Sequence, residues 1–169
     1  MWRALPRIWK HRWLDSRAAA RALPPDVLAR LAALVAQSEK THTGEIRIAI
    51  EGGLPLSYLR RQASPRERAL SLFGKLRVWD TADNNGVLIY VLLADHALEV
   101  VADRGLHAAV PADFWQQLVA QLRPMLAAQQ FEAALSAAIA ALGAALARHF
   151  PAEPGQSRSN ALPDAPVLL

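Results

Sequence analysis

The stretch "GVLIYVLLA", residues 86–94, limits the fold more than any other part of the chain. It is apolar without a break and rich in branched and aromatic side chains, so it reads as a strand covered on both faces. Such a strand belongs at the centre of a sheet. "ALEVVAD", residues 97–103, follows with only Asp95 and His96 between, which leaves room for a tight hairpin and an antiparallel return.

The other elements arrange themselves around that hairpin. "GEIRIAIEGG" alternates Ile46, Ile48 and Ile50 with Glu45, Arg47 and Glu51, the pattern of a half-exposed or edge strand. "SPRERALSLFGKLRVWD" opens with a Ser64 to Glu67 capping box and Pro65 in the first helical position, and predicts a crossover helix with Ala69, Leu70, Phe73 and Leu76 on its buried stripe. Before the sheet, "LPPDVLARLAALVAQSEK" predicts a helix burying Leu28, Leu31, Leu34 and Val35. After it, "PADFWQQLVAQLRPML" and "FEAALSAAIAALGAALARHF" predict two more, the last striped by Leu135, Ile139, Leu142 and Leu146. The expected class is α/β: a small mixed sheet of three to four strands, a parallel pair plus an antiparallel hairpin, sandwiched between helices. Residues 23–150 form the domain, 1–22 a basic Trp-rich arm, and 151–169, with four prolines, a disordered tail.

This topology gathers polar residues that the sequence separates. If the 44–51 and 86–94 strands are parallel, their N-terminal ends share a sheet edge with the C-terminal end of the return strand. Glu45, Asp80, Asp83, Asn84, Asn85, Asp103, Arg104 and His107 should then be neighbours. Carboxylate and amide oxygens are the ligands that hard cations take, with Asp83, Asn85 and Asp103 the foremost metal candidates, and Arg104 and His107 could meet an anion. The same residues are also what turns prefer, since Asn-Gly tolerates left-handed backbone and Asx side chains bond the local main chain. Both readings stand on the sequence.

"GEIRIAIE", "RVWDTADNNGVLIYVLLADHALEVVADRGLH" and "FEAALSAAIAAL…HFP" together resemble the TPM domain family across roughly residues 38–150, and within it a short, soluble bacterial branch. The resemblance implies an α/β/α sandwich, divalent-cation binding as in some members, and the phosphatase activity with which the family is labelled. By position, Asp83 to Gly86 match the family's "DNG" loop. Asp103 to Leu106 lie where its "GYGL" loop would be, so Asp103 and Arg104 replace a glycine and an aromatic and change the charge of that rim.

Several chemistries are excluded or unsupported. There are no cysteines, which removes disulfides and thiolate zinc sites. No two histidines share a helix face at metal spacing, and no Gly-x-Ser-x-Gly elbow or phosphate loop occurs. Glu51 and Glu99 are expected on exposed strand faces, and Trp79 and Trp115 as core or rim aromatics. No organic cofactor is implied; Ca²⁺ or Mg²⁺ is.

Residues 1–21 hold six basic side chains against Asp15, whereas the remaining thirteen basic and fourteen acidic residues nearly cancel. The body therefore lacks the basic surface that nucleic acid requires. A helix over the arm would align Trp2, Trp9 and Trp13 beside Arg3, Arg7 and Lys10, a stripe suited to the domain's own surface, a membrane interface or a protein partner. No secretory signal or bilayer-spanning run is read, so the expected place is the cytoplasm, peripheral at the inner membrane face if the arm meets lipid.

Two functions remain. One is a non-catalytic accessory or scaffold domain, cation-responsive and joined to a membrane-linked partner through the arm. The other is a metal-dependent hydrolase of phosphate esters, with Asp83, Asn85, Asp103 and Glu45 holding the metal and Arg104 the phosphate. The missing nucleophile and the site's place away from the strands' C-terminal crevice favour the first.

Overall fold

The computed structural model describes residues 11, 16–153 and 162–169. Helices α1 (Ser16–Ala22) and α2 (Pro25–Ser38) precede strand β1 (Ile46–Glu51). Helices α3 (Leu56–Arg60) and α4 (Pro65–Lys75) then lead to β2 (Val87–Leu92) and β3 (Ala97–Ala102), and α5 (Arg104–Ala109), α6 (Ala112–Ala127) and α7 (Phe131–His149) come before a short C-terminal strand β4 (Val167–Leu168). The sheet runs β3-β2-β1-β4, with β1 and β2 parallel and β2 and β3 antiparallel. This is the expected α/β class with a small mixed sheet between helices.

Side-chain alternation assigns the two layers. Ile46, Ile48, Ile50, Val87, Ile89 and Val91 pack with α1, α2, α6 and α7, whereas Ala49, Leu88, Tyr90 and Leu92 pack with α3 and α4. β2 is fully buried along its length, as its unbroken apolar run requires. The capping box at Ser64 and Glu67 is formed and starts α4 with Pro65 in its first turn. α7 is long and apolar enough to cross a membrane, but half of its most apolar window is buried in this domain, including Leu135, Ile139, Leu142 and Leu146.

Four expectations change. β1 is an inner strand, buried at every position, because each charge on its polar face has a partner. Arg47 donates to the carbonyls of Pro163 and Ala165, Glu45 accepts from the Leu162 amide, and Glu51 takes Arg68 and Tyr90. Glu51 is thus buried rather than exposed. The tail is ordered over 162–169: Leu162 is buried and β4 pairs with Ala49 and Ile50 of β1. Helix stripes also turn by a position or so. Leu70 is 52% exposed while Arg68 and Leu72 face inward, and in α2 Val27, Leu31 and Val35 are buried while Leu34 is exposed.

The arm's tryptophans, Trp2, Trp9 and Trp13, lie outside the described residues, as do Arg3, Arg7 and Lys10. His11 is described, and it is buried. Its Nδ1 accepts from the Leu54 amide at 2.9 Å, so the proton sits on Nε2, which donates to Asp95 at 3.0 Å. Leu54 and Asp95 follow the C-terminal ends of β1 and β2, which anchors this point of the arm to the end of the sheet opposite the polar cluster.

Candidate functional site: a polar sheet edge

Register brings the predicted edge together. Ile46, Val87 and Ala102 lie side by side, the Glu45 carbonyl accepts from the Val87 amide at 2.8 Å, and the Asp103 amide donates to the Gly86 carbonyl at 2.9 Å. Sequence-distant residues therefore share one rim, as strand direction demands.

Turn chemistry accounts for much of it. Asn84 adopts the left-handed conformation, with φ of 51°, and its side-chain oxygen accepts from Arg104 Nε and Nη2 at 3.1 and 2.9 Å. Asp103 caps α5 through Oδ1, which accepts from the Arg104 amide at 2.7 Å. The Thr43 hydroxyl links two members, donating to Asp83 Oδ2 at 3.1 Å and accepting from Asn85 Nδ2 at 3.0 Å. Thr81 Oγ1 accepts from the Asn85 amide at 3.1 Å.

Two glycines are required by close approach. A Cβ on Gly86 would stand 1.9 Å from the Val78 carbonyl, and one on Gly105 would stand 2.5 Å from the Asp83 carbonyl and 2.6 Å from that of Asn84. The loops 78–86 and 103–105 are held against each other by backbone contacts at Gly86 and Gly105 and by the Arg104 side chain on Asn84.

What turn chemistry leaves unexplained is a pair of oxygens. Among the described residues, three buried side-chain atoms lack a hydrogen-bond partner, and two of them, Asn85 Oδ1 and Asp103 Oδ2, belong to this edge. Asn85 is 1% exposed. Leaving a buried acceptor unanswered costs about 1–3 kcal/mol, more when it is charged. Oxygen acceptors of this kind fit a hard cation. No three His, Asp or Glu side chains gather as ligands among the described residues, so any cation here would draw on amide, hydroxyl or carbonyl oxygens as well.

The remaining candidates are placed differently. The Glu45 side chain turns onto the buried face toward Leu162, 3.3 Å from its amide. Asp80 is exposed and paired with Arg77 at 2.7 Å. The His107 ring stacks on Trp115, with centroids 5.9 Å apart, over a groove between β3 and α6. Sequence reading missed Thr43 and Thr81; the topological argument that selected Glu45 would also have selected Thr43, two residues before it.

A four-stranded mixed sheet between helical layers, with an Asp/Asn edge before its central strand, defines an α/β/α domain of one kind. The TPM domain model matches residues 17–145, and the chain belongs to that family. It is similar to the NMR structure of the BA42 protein from the psychrophilic bacterium Bizionia argentinensis, at 26% identity and a TM-score of 0.73, covering 85% of this chain and 92% of that one. None of the curated proteins matches it.

Proposed function

We propose that this chain is a non-catalytic accessory domain whose polar sheet edge binds a divalent cation, Ca²⁺ or Mg²⁺, through Asp103, Asn85 and Asp83. The observation that carries the reading is the pair of buried, unanswered oxygens, Asn85 Oδ1 and Asp103 Oδ2. A hard cation would satisfy both. Arg104 is engaged with Asn84 rather than free to meet a phosphate ester, which favours binding over hydrolysis. The arm, rooted at His11 on the opposite end of the sheet, would serve a membrane-linked partner without competing for the cation.

Thermal unfolding of chelator-treated protein, titrated with Ca²⁺ and Mg²⁺, tests this. A cation that binds only the folded state adds roughly 2.7 kcal/mol at a hundred times its dissociation constant. The shift should vanish in Asp103→Asn. No shift in the parent protein would leave the edge as turn chemistry, and hydrolysis of a phosphate ester that disappears with Asp103→Asn would replace the accessory reading with the hydrolase one.

A further inference from the structure

Strand β3 ends one side of the sheet, and no strand pairs with its outer edge among the described residues. The Asp103 amide donates to the Gly86 carbonyl, and the ladder with β2 continues in step, so Ala97, Glu99 and Val101 turn their main chain toward β2. The amides and carbonyls of Leu98, Val100 and Ala102 therefore point off the sheet. Arg66 donates to the Val100 carbonyl and blunts this edge at that point. The side chains of the same three residues turn to the other face, toward α6, and stay half-buried because a groove separates them from that helix. Two cavities of about 380 and 300 Å³ make up the groove; they meet at Leu98 and Val119 and run from His96 to His107.

The lining says what fits there. Its walls are apolar, with Leu98 and Val100 on one side and Leu118, Val119 and Leu122 on the other, and Val119 is 47% exposed. Trp115 lines it too, and its Nε1–H is buried without an acceptor, a donor that a ligand oxygen would answer. Arg66 is engaged by the Val100 carbonyl and by Glu99 at 3.7 Å. Arg123, exposed at the His96 end, has no hydrogen bond or ion pair among the described residues. The free positive charge thus sits at one end of the groove, which suits a chain terminus rather than an acidic segment.

We infer that the groove takes the apolar carboxyl terminus of a partner protein, bound as an extended strand beside β3. Main-chain groups of Leu98, Val100 and Ala102 pair with the peptide, its alternate side chains enter the groove, and its terminal carboxylate meets Arg123. Because Arg123 stands where β3 begins, the added strand runs antiparallel to β3. None of Asp83, Asn85 and Asp103 takes part, so the inference stands independently of the cation reading.

The test is selection on the full chain from a library of random heptapeptides displayed with free carboxyl termini, followed by fluorescence anisotropy of the enriched peptide. Apolar residues are expected at alternate positions of the enriched family. Amidating the peptide's terminus, methylating the alternate amide nitrogens that face β3, or Arg123→Gln should each weaken binding at least about tenfold, and Arg123→Gln should keep the parent's unfolding temperature. Val119→Glu, which sets a carboxylate on the exposed wall of the groove, should weaken it as well. A library that enriches no family, or a peptide held equally well after amidation and by Arg123→Gln, overturns the inference. So does retention of decanoate in place of peptide, which would assign the groove to a small apolar acid. A dimer in sedimentation that Val119→Glu dissociates would assign the groove to a second copy and overturn it too.

Discussion

Glu51, Arg68 and Tyr90 on the buried sheet face and Thr43, Asp83, Asn85 and Asp103 at the sheet edge are made of the same kinds of polar groups, but they are completed differently. In the first set, Arg68 clasps both Glu51 oxygens at 2.7 and 2.9 Å and the Tyr90 hydroxyl donates to Glu51 at 2.7 Å. Burial opposes the Arg68 charge, yet the Glu51 carboxylate, joined by Tyr58 and Tyr90, outweighs it and holds the guanidinium above its ordinary range. Burial, and then the same carboxylate, push the Tyr90 phenol up, which keeps it a neutral donor. In the second set, two buried oxygens have no protein partner. A closed network serves the fold; an open one invites a ligand.

The contrast breaks most readily at Arg68. Arg68→Ala would leave Glu51 buried without its counter-charge, and urea unfolding should show a loss of about 3–5 kcal/mol. Tyr90→Phe removes one hydrogen bond to a charged group, and the same measurement should show roughly 1.5–3 kcal/mol. Asp103→Asn tests the other side. It preserves the capping oxygen, so in chelator its stability should stay within about 1 kcal/mol of the parent's. A loss as large as that of Arg68→Ala would mean that the edge, too, is a closed structural network.

The smallest effect is expected at Glu99 on β3. Burial raises its carboxyl pKa, with Arg66 at 3.7 Å only partly opposing it. A carboxyl whose folded pKa is raised contributes stability that is full below its ordinary pKa and is lost as pH rises through the folded value. Glu99→Gln should therefore match the parent protein in acid and exceed it slightly near neutral pH, by less than about 1 kcal/mol. Thermal scans across pH would show it, and an advantage that persists below pH 4.5, the ordinary carboxyl value, would assign the effect to packing instead.

Much of the fold was legible in local pattern. The unbroken run at 87–92, the short link at Asp95 and His96, and the Ser64 to Glu67 capping box each bias a few neighbouring residues, and each produced the element it predicts. β1 was misleading because alternation reports polarity, and polarity becomes exposure only when charges lack partners. Arg47 and Glu45 find theirs in residues 162–165, more than a hundred positions away, which composition alone assigned to disorder.

The candidate site divides along the same line. Strand directions, which the sequence determined, place Asp83, Asn85, Asp103 and Arg104 on one rim, because a parallel pair and a hairpin leave no other arrangement of strand ends. Only the tertiary structure decided that Glu45 turns inward to Leu162, that Asp80 is absorbed by Arg77, that His107 stacks on Trp115, and that Asn85 Oδ1 and Asp103 Oδ2 stay unanswered. Local preference acts over a few residues, whereas the pairing of a side-chain atom depends on what the whole chain brings within about 3 Å of it.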